Sequence, residues 1–351
     1  MPSLDGLRAL SFGIVFSAHA GLPLGIPFPG AFGVTVFFFL SGLLITTLLR
    51  REIEKKDSIS FKNFYLRRVL RILPPFYLVL IGALIATYVL DMPGTIDFGG
   101  ILSQLLHYSN YWIIANGFDG LPDGTGVFWS LAVEEHFYLL FPLAFVGLTR
   151  LGARPQRQAM VLLGVCCAIL LWRIFLYSRL DMTDVLSGER LEIASDTRFD
   201  SILFGCILAL NGNPALDSSR FGERVWKYVF LPLGICGLLF SFIYRDEFFR
   251  GTFRYTLQGI SLIPVFVCAV RYSTWLPMRF LNLRPVAFIG VLSYSLYLVH
   301  QVVLAAIAHV FPHFGNGRRG LVAFAISLAI AWLLYVAVEK PCARLRHKLS
   351  T

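Results

Sequence analysis

Charge is what this sequence has least of. Asp, Glu, Lys and Arg together make up 15% of its 351 residues, against roughly a quarter in a soluble domain, which excludes a water-facing surface all round. From Ile72 to Thr149 there is no Lys or Arg at all, and no basic stripe on a soluble module of the kind nucleic acid requires. The six cysteines form no CxxC pair and no metal-ligand spacing, so neither a metal centre nor a disulfide framework is expected. Five of them, Cys166, Cys167, Cys206, Cys236 and Cys268, lie in or beside apolar runs as small hydrophobes. The first apolar run lacks a small-residue cleavage site, so it is expected to be retained rather than removed as a signal peptide.

What is present is apolar sequence, 56% of the chain. A spanning helix needs about 20 mostly apolar residues, and about ten such runs occur, near 7–24, 31–49, 73–91, 128–148, 158–177, 195–211, 228–244, 255–270, 286–310 and 320–338. The fold expected is all-α and polytopic, one transmembrane domain over 1–351 with no separate soluble domain. The net charge of +10 is distributed in short blocks between the runs. With the N-terminus inside, 22 Lys and Arg fall on the inner side and 8 on the outer. The positive-inside rule therefore places both termini in the cytoplasm.

Three stretches depart from a plain bundle. The basic loop "RREIEKKDSISFKNFYLRRVLRILPP" predicts an amphipathic interfacial helix from about Ser60, with Pro74 and Pro75 marking entry into the third span. The external loop 92–127 holds the aromatic "LSQLLHYSNYWII", a candidate re-entrant or interfacial helix. The sixth span is short and follows "ERLEIASDTRFDSILFG", whose charges are expected to face protein or water rather than lipid.

Ionisable residues inside spans are the candidates for chemistry. Arg8 and His19 are eleven residues apart, which puts them on one face of the first span about 16 Å apart along its axis, with Asp5 near the same stripe. A snorkelling arginine and a hydrogen-bonded core histidine are the plainer reading. In "FWSLAVEEHFYLLFP", Ser130, Glu134 and Tyr138 share a helix face while Glu135 and His136 point elsewhere. Asp196, Arg198 and Asp200 can pair among themselves as a structural network. In "GVLSYSLYLVHQ", Ser293, Tyr297 and His300 share a face with Tyr294 to one side, a spacing that also suits interhelical hydrogen bonding.

Taken in order, "LDGLRAL…H", "FFFLSGLLI", "YLRRVLRILPPFY", "WSLAVEEHFYLLFP", "RFDSILFG" and "SYSLYLVH" resemble the motifs of the acyltransferase-3 family, integral-membrane acyltransferases that modify sugars of bacterial envelope and secreted glycans. The resemblance runs from Leu4 to about His300, with "VEKP" fitting the usual end. It implies a multi-pass protein of the bacterial inner membrane that transfers an acyl group, usually acetyl, from cytoplasmic acetyl-CoA or another acyl-CoA to a carbohydrate hydroxyl. Lipopolysaccharide, exopolysaccharide, peptidoglycan and lipid-linked or small glycans are all acceptors in the family. His19 is then the essential histidine, Arg8 its first-span partner, Arg68 and Arg71 the arginines of the third-span motif, and Glu134 the motif carboxylate. His136 stands where many members have glutamine, so no role carries over to it.

Elementary chemistry points the same way. Guanidinium forks at Arg8, Arg68 and Arg71 suit coenzyme A phosphates, and an extended pantetheine arm is comparable in length with the Arg8-to-His19 separation. His19 would act as general base on a sugar hydroxyl, with Glu134 orienting the imidazole or handling the proton; an acyl-histidine intermediate is the rival chemistry. Asp5, Tyr111, Trp112, Trp129, Ser130, Arg198, Asp200, Tyr294 and His300 are expected to bind substrate, the aromatic rings offering flat faces to sugar C–H groups. Membrane lipids are the other expected partners; nucleic acid and metal are not. Two other readings are a transporter or flippase of a lipid-linked glycan and a non-catalytic assembly subunit.

Overall fold

The computed structural model describes residues 3–21 and 30–348, and their regular structure is helical apart from one bridge between Ile96 and Gly120. In chain order the helices of eight or more residues are α1 (Leu4–His19), α2 (Gly30–Lys56), α3 (Phe61–Val89), the short α4 (Phe98–Leu105) and α5 (Ser109–Asn116), α6 (Trp129–Arg150), α7 (Pro155–Arg179), the short α8 (Val185–Ile193), α9 (Ser195–Leu210), α10 (Glu223–Ile243), α11 (Phe253–Arg271), α12 (Arg284–Val310) and α13 (Asn316–Arg346). Eight of them, α2, α3, α6, α7 and α10 to α13, are long and apolar enough to cross a bilayer. The other two expected spans, α1 and α9, have 16 residues each. At about 24 Å they fall short of a hydrocarbon core near 30 Å. The chain is an all-α polytopic membrane protein. The end of the first expected span, 22–24, lies outside the described residues.

The third expected span needs a correction. Instead of an interfacial helix broken at Pro74 and Pro75, one helix runs from Phe61 to Val89 with both prolines inside it. Ser60 caps it, accepting from the Asn63 amide at 3.4 Å. The two prolines remove two helix hydrogen bonds, a loss that helices inside a membrane bundle tolerate better than helices in water. Tyr294 of α12 donates its hydroxyl to the Ile72 carbonyl at 2.7 Å, beside the prolines. The loop 92–127 folds into α4 and α5, joined by a turn at His107 in left-handed backbone conformation (φ 56°). Asp97 pins this hairpin, its carboxylate accepting from the Gly99 amide at 2.8 Å and its own amide donating to the Gly120 carbonyl at 3.0 Å.

Glycines let the helices approach backbone to backbone. Built on Gly42 of α2, a Cβ would lie 1.9 Å from the Ile202 carbonyl oxygen of α9, and on Gly205 of α9, 2.0 Å from that of Phe39. The α2–α9 crossing is therefore a small-residue contact of the kind that membrane helices use. A Cβ on Gly290 of α12 would lie 1.8 Å from the Asp5 carbonyl oxygen, so α1 is pressed onto α12 just where each helix turns its polar residues inward. Between the crossings the core is filled by Phe12, Phe38, Phe39, Phe76, Phe128, Phe204 and Phe266, all fully buried. Outward-facing Ile85, Leu143, Leu171 and Leu321 are exposed, as a lipid-facing surface requires.

Deep in the bundle Arg173 of α7 pairs with Asp200 of α9 at 2.6 Å, both fully buried. Thr256 of α11 accepts from Arg173 at 2.5 Å and donates to Asp200 at 3.0 Å. The expected pairing among Asp196, Arg198 and Asp200 does not occur: residues two apart on a helix face opposite ways. Asp196 instead accepts from Arg190 at 2.5 Å and from the Trp172 indole at 2.6 Å.

Gly42→Ala and Gly205→Ala are each expected to destabilise the protein by about 1–3 kcal/mol through overpacking. Gly147→Ala, with no neighbour near its Cβ, is expected to be neutral or better. Asp200→Asn, which leaves a buried guanidinium without its counter-ion, should cost about 3–5 kcal/mol, most of it recovered in an Arg173→Met, Asp200→Leu double variant. Thermal unfolding in detergent checks both sets.

Candidate active site

Five helices contribute polar side chains to one cavity of about 690 Å³: Arg8 from α1, Ser41 from α2, Arg68 and Arg71 from α3, Ser130, Glu134 and Tyr138 from α6, and Ser293, Tyr294 and Tyr297 from α12. Spacing explains the convergence. Ser130, Glu134 and Tyr138 repeat every four residues along α6, and Arg68 and Arg71 stand three apart on α3. The Gly290 contact brings Arg8, one turn beyond Asp5, beside Ser293 and Tyr294. Val34, Phe37, Phe38, Leu40, Leu44 and Leu131 complete the wall.

The charges in the cavity are not balanced within it. Arg8 is held by an ion pair with Asp5. Tyr138 donates to Glu134 Oε2 at 3.2 Å, also bonds the Ser41 hydroxyl, and offers its ring face to Arg68 at 4.7 Å. Neither Arg68 nor Arg71 forms a salt bridge to a carboxylate among the described residues. Both also line a wider open cleft of about 1490 Å³, where the C-terminal end of α2, the start of α3 and the end of α13 meet. Arg51, Lys55, Lys56, Arg67 and Arg346 line that cleft against one carboxylate, Glu52. Glu52 is itself taken up by Arg67 at 2.8 Å and by the Ser60 amide at 3.1 Å. A basic vestibule thus leads through Arg68 and Arg71 into the cavity.

The far end of the cavity is closed by Tyr297, whose hydroxyl bonds Ser130 Oγ at 2.7 Å and the Val127 carbonyl at 3.1 Å. Behind it lies a histidine pair. His19 Nδ1 is 2.9 Å from His300 Nε2, the rings are stacked with centroids 5.2 Å apart, and His300 Nδ1 is 2.7 Å from the Tyr297 carbonyl oxygen. His300 is fully buried against Phe12 and Phe16, whereas His19 is exposed. His19 is not a wall of the cavity, from which Tyr297 and Phe37 separate it. Nor does Glu134 reach it: that carboxylate sits lower, among Tyr138, Ser41, Arg68 and Arg71. His300 is the group in contact with the His19 imidazole.

Other residues expected at the site lie elsewhere. Arg198 is fully buried, donating to Thr35 Oγ1 at 2.9 Å and stacked 3.8 Å over the Tyr255 ring, with Trp129 and Phe38 flanking it. Asp200 is committed to Arg173. Tyr111 and Trp112 belong to the α4–α5 hairpin. Tyr111 reaches Asp196 at 3.5 Å, and the Trp112 indole donates to the Asp119 carbonyl at 2.9 Å. Sequence alone gives no role to Ser41, although "FFFLSGLLI" contains it, nor to Lys55, Lys56 and Arg346, whose basic blocks look like topology signals alone. Nor does it give one to Glu339, which accepts from Ser295 at 2.5 Å at a π-helical turn of α13. No cluster of three or more His, Cys, Asp and Glu side chains forms among the described residues.

Comparison with known proteins places the chain in a family. A family profile described as an acyltransferase domain matches residues 1–336. A Staphylococcus aureus (strain MSSA476) protein named "Putative O-acetyltransferase SAS0844" is 32% identical over 97% of this chain and 57% of its own length. "Putative peptidoglycan O-acetyltransferase YrhL" of Bacillus subtilis is 30% identical over 97% of this chain and 54% of its own. The peptidoglycan O-acetyltransferase OatA of Listeria monocytogenes is 29% identical, with 97% and 55% covered. The chain therefore spans a little over half the length of these relatives. No solved structure matches it. A match that runs from the first residue into the last long helix permits one assignment: the chain belongs to the acyltransferase-3 family.

Proposed function

We propose that this protein is an O-acyltransferase that takes an acyl group, acetyl in the first instance, from acyl-CoA and esterifies a hydroxyl of a cell-envelope glycan. The observation that carries the reading is the basic vestibule and its continuation past Arg68 and Arg71 into a cavity bounded by Tyr297, whose carbonyl bonds His300, the partner of His19. Phosphates attract unpaired guanidiniums, and Arg adds a planar fork of donors that matches phosphate oxygens. A donor of this kind carries its phosphates at one end and its thioester at the other. The nucleotide rests in the vestibule, the thin arm lies in the cavity, and the acyl group passes Tyr297 to reach the histidines. The cation-rich face is the cytoplasmic one by the positive-inside rule, which puts the donor where coenzyme A is made and both termini inside, in the inner membrane.

His19 is the general base. It removes the proton from the acceptor hydroxyl as the oxygen attacks the thioester carbon; the carbon–sulfur bond breaks, and the proton passes from the imidazole to the departing sulfur. The products are a sugar ester and free thiol. Arg8, Arg68 and Arg71 hold the donor, and Glu134 with Tyr138 and Ser41 lines the arm. A carbohydrate acceptor, peptidoglycan among the candidates, is supported by the names of the Listeria and Bacillus relatives. Transport of a lipid-linked glycan is the competing reading, and it leaves both donor and glycan chemically unchanged.

Purified protein in lipid vesicles, given acetyl-CoA labelled in the acetyl group and a glycan acceptor, is expected to move label to the glycan and release free thiol. His19→Ala should lower transfer by about 100-fold or more, the scale of a general base. Arg68→Lys and Arg71→Lys should raise the donor KM about tenfold each, through loss of a charge-assisted bond, with smaller effects on kcat. Label that stays on the donor in the presence of intact protein and acceptor would refute the reading. Replacing Lys55 and Lys56 by Glu is expected to lower kcat/KM for the donor and to flatten its dependence on ionic strength, since these charges act at longer range.

A further inference from the structure

We infer that His300 is a positioning residue that holds His19 in the tautomer protonated on Nδ1, so that the lone pair on Nε2 is the one available to a substrate proton. The inference rests on the reading of His19 as base. Its structural part, the tautomer, stands or falls separately.

The argument is one of donors and acceptors. A carbonyl oxygen only accepts, so the 2.7 Å contact between the Tyr297 carbonyl and His300 Nδ1 puts a hydrogen on that nitrogen. In a neutral ring the other nitrogen is then an acceptor. His300 Nε2 therefore faces His19 Nδ1 at 2.9 Å with a lone pair, and the bond forms only if His19 carries its hydrogen on Nδ1. Turning the His300 ring over would set a C–H against the Tyr297 carbonyl and forfeit the bond, and the ring is fully buried between Phe12 and Phe16. What remains on His19 is Nε2, which has no hydrogen-bond partner among the described residues.

This choice matters because an unconstrained imidazole in a peptide prefers its hydrogen on Nε2, the atom that would then be unable to accept a proton. The second nitrogen's hydrogen bond sets the tautomer, and here that bond is supplied by a second imidazole anchored to the backbone. The same contact serves the charged state. Once His19 has taken the hydroxyl proton on Nε2, its Nδ1–H bond to His300 becomes charge-assisted and stronger. His300 keeps its own hydrogen on the Tyr297 carbonyl throughout, so it orients and stabilises and passes no proton. Tyr297 thereby does two things: its hydroxyl closes the donor cavity and its carbonyl fixes the histidine pair.

Nitrogen NMR of the full-length protein, labelled with 15N in its histidine rings, distinguishes protonated from bare ring nitrogens, with His19→Gln assigning the signals. The expected wild-type result is Nδ1 protonated and Nε2 bare on His19. In His300→Leu the hydrogen should move to Nε2, and kcat should fall by about 100-fold or more while the donor KM stays within about twofold, since the arginines are untouched. His300→Gln places an amide oxygen near the Nε2 position, and it is expected to restore the Nδ1 tautomer and bring kcat back to within about tenfold of wild type. A wild-type His19 protonated on Nε2, or a His300→Leu protein with unchanged tautomer and kcat, would overturn the inference. Should His300→Leu fail to fold, the wild-type spectrum still decides. Undiminished transfer by His19→Gln would instead remove the general-base reading and leave the tautomer to the spectra.

Discussion

A charged side chain within the thickness of a membrane is tolerated only where protein or a water-filled cavity takes the place of bulk water. The architecture follows from meeting that condition for Arg8, Arg68, Arg71, Glu134, Arg173, Arg198 and Asp200. Glycine-mediated contacts at Gly42, Gly205 and Gly290 bring helix backbones together tightly enough for short side chains to reach one another. Two solutions result. The Arg173–Asp200 pair with Thr256 is closed and self-satisfied. The Arg68–Arg71–Glu134 cluster is open to a cleft, and neither arginine forms a salt bridge among the described residues. The first holds the bundle together, and the second leaves room for an anionic ligand.

The polar interior is divided at Tyr297. On one side lie the guanidiniums, the carboxylate and the vestibule; on the other lies the imidazole pair. On the function proposed above, such a division would keep water from a thioester donor and ions from a continuous channel. Ser130, Phe37 and the Val127 carbonyl complete the partition with side chains and backbone rather than with a mobile domain.

Arg198 behaves differently from its neighbours. It is fully buried with no salt bridge among the described residues, and its charge is met by the faces of Tyr255, Trp129 and Phe38 and by oxygens of Thr35 and Glu192. Cation–π contacts strengthen when desolvated, so aromatic residues stand in for a counter-ion here.

Much of the protein was legible in the sequence. Low charge and long apolar runs determined an all-helical membrane protein, and the 3.6-residue period alone put Ser130, Glu134 and Tyr138 on one face, with Ser293 and Tyr297 on another. Period is a local property, so it survives without knowledge of neighbours. For the same reason it could not say that α3 continues through Pro74 and Pro75, which a helix tolerates only when packed among neighbours. It also could not separate Glu134 from His19, or join His19 to His300 across 281 positions. Nor could it recognise Lys55, Lys56 and Arg346 as walls of one cleft. Those facts depend on which helix lies against which, and that is decided by contacts between residues far apart in the chain, the Gly290 contact of α12 with α1 among them.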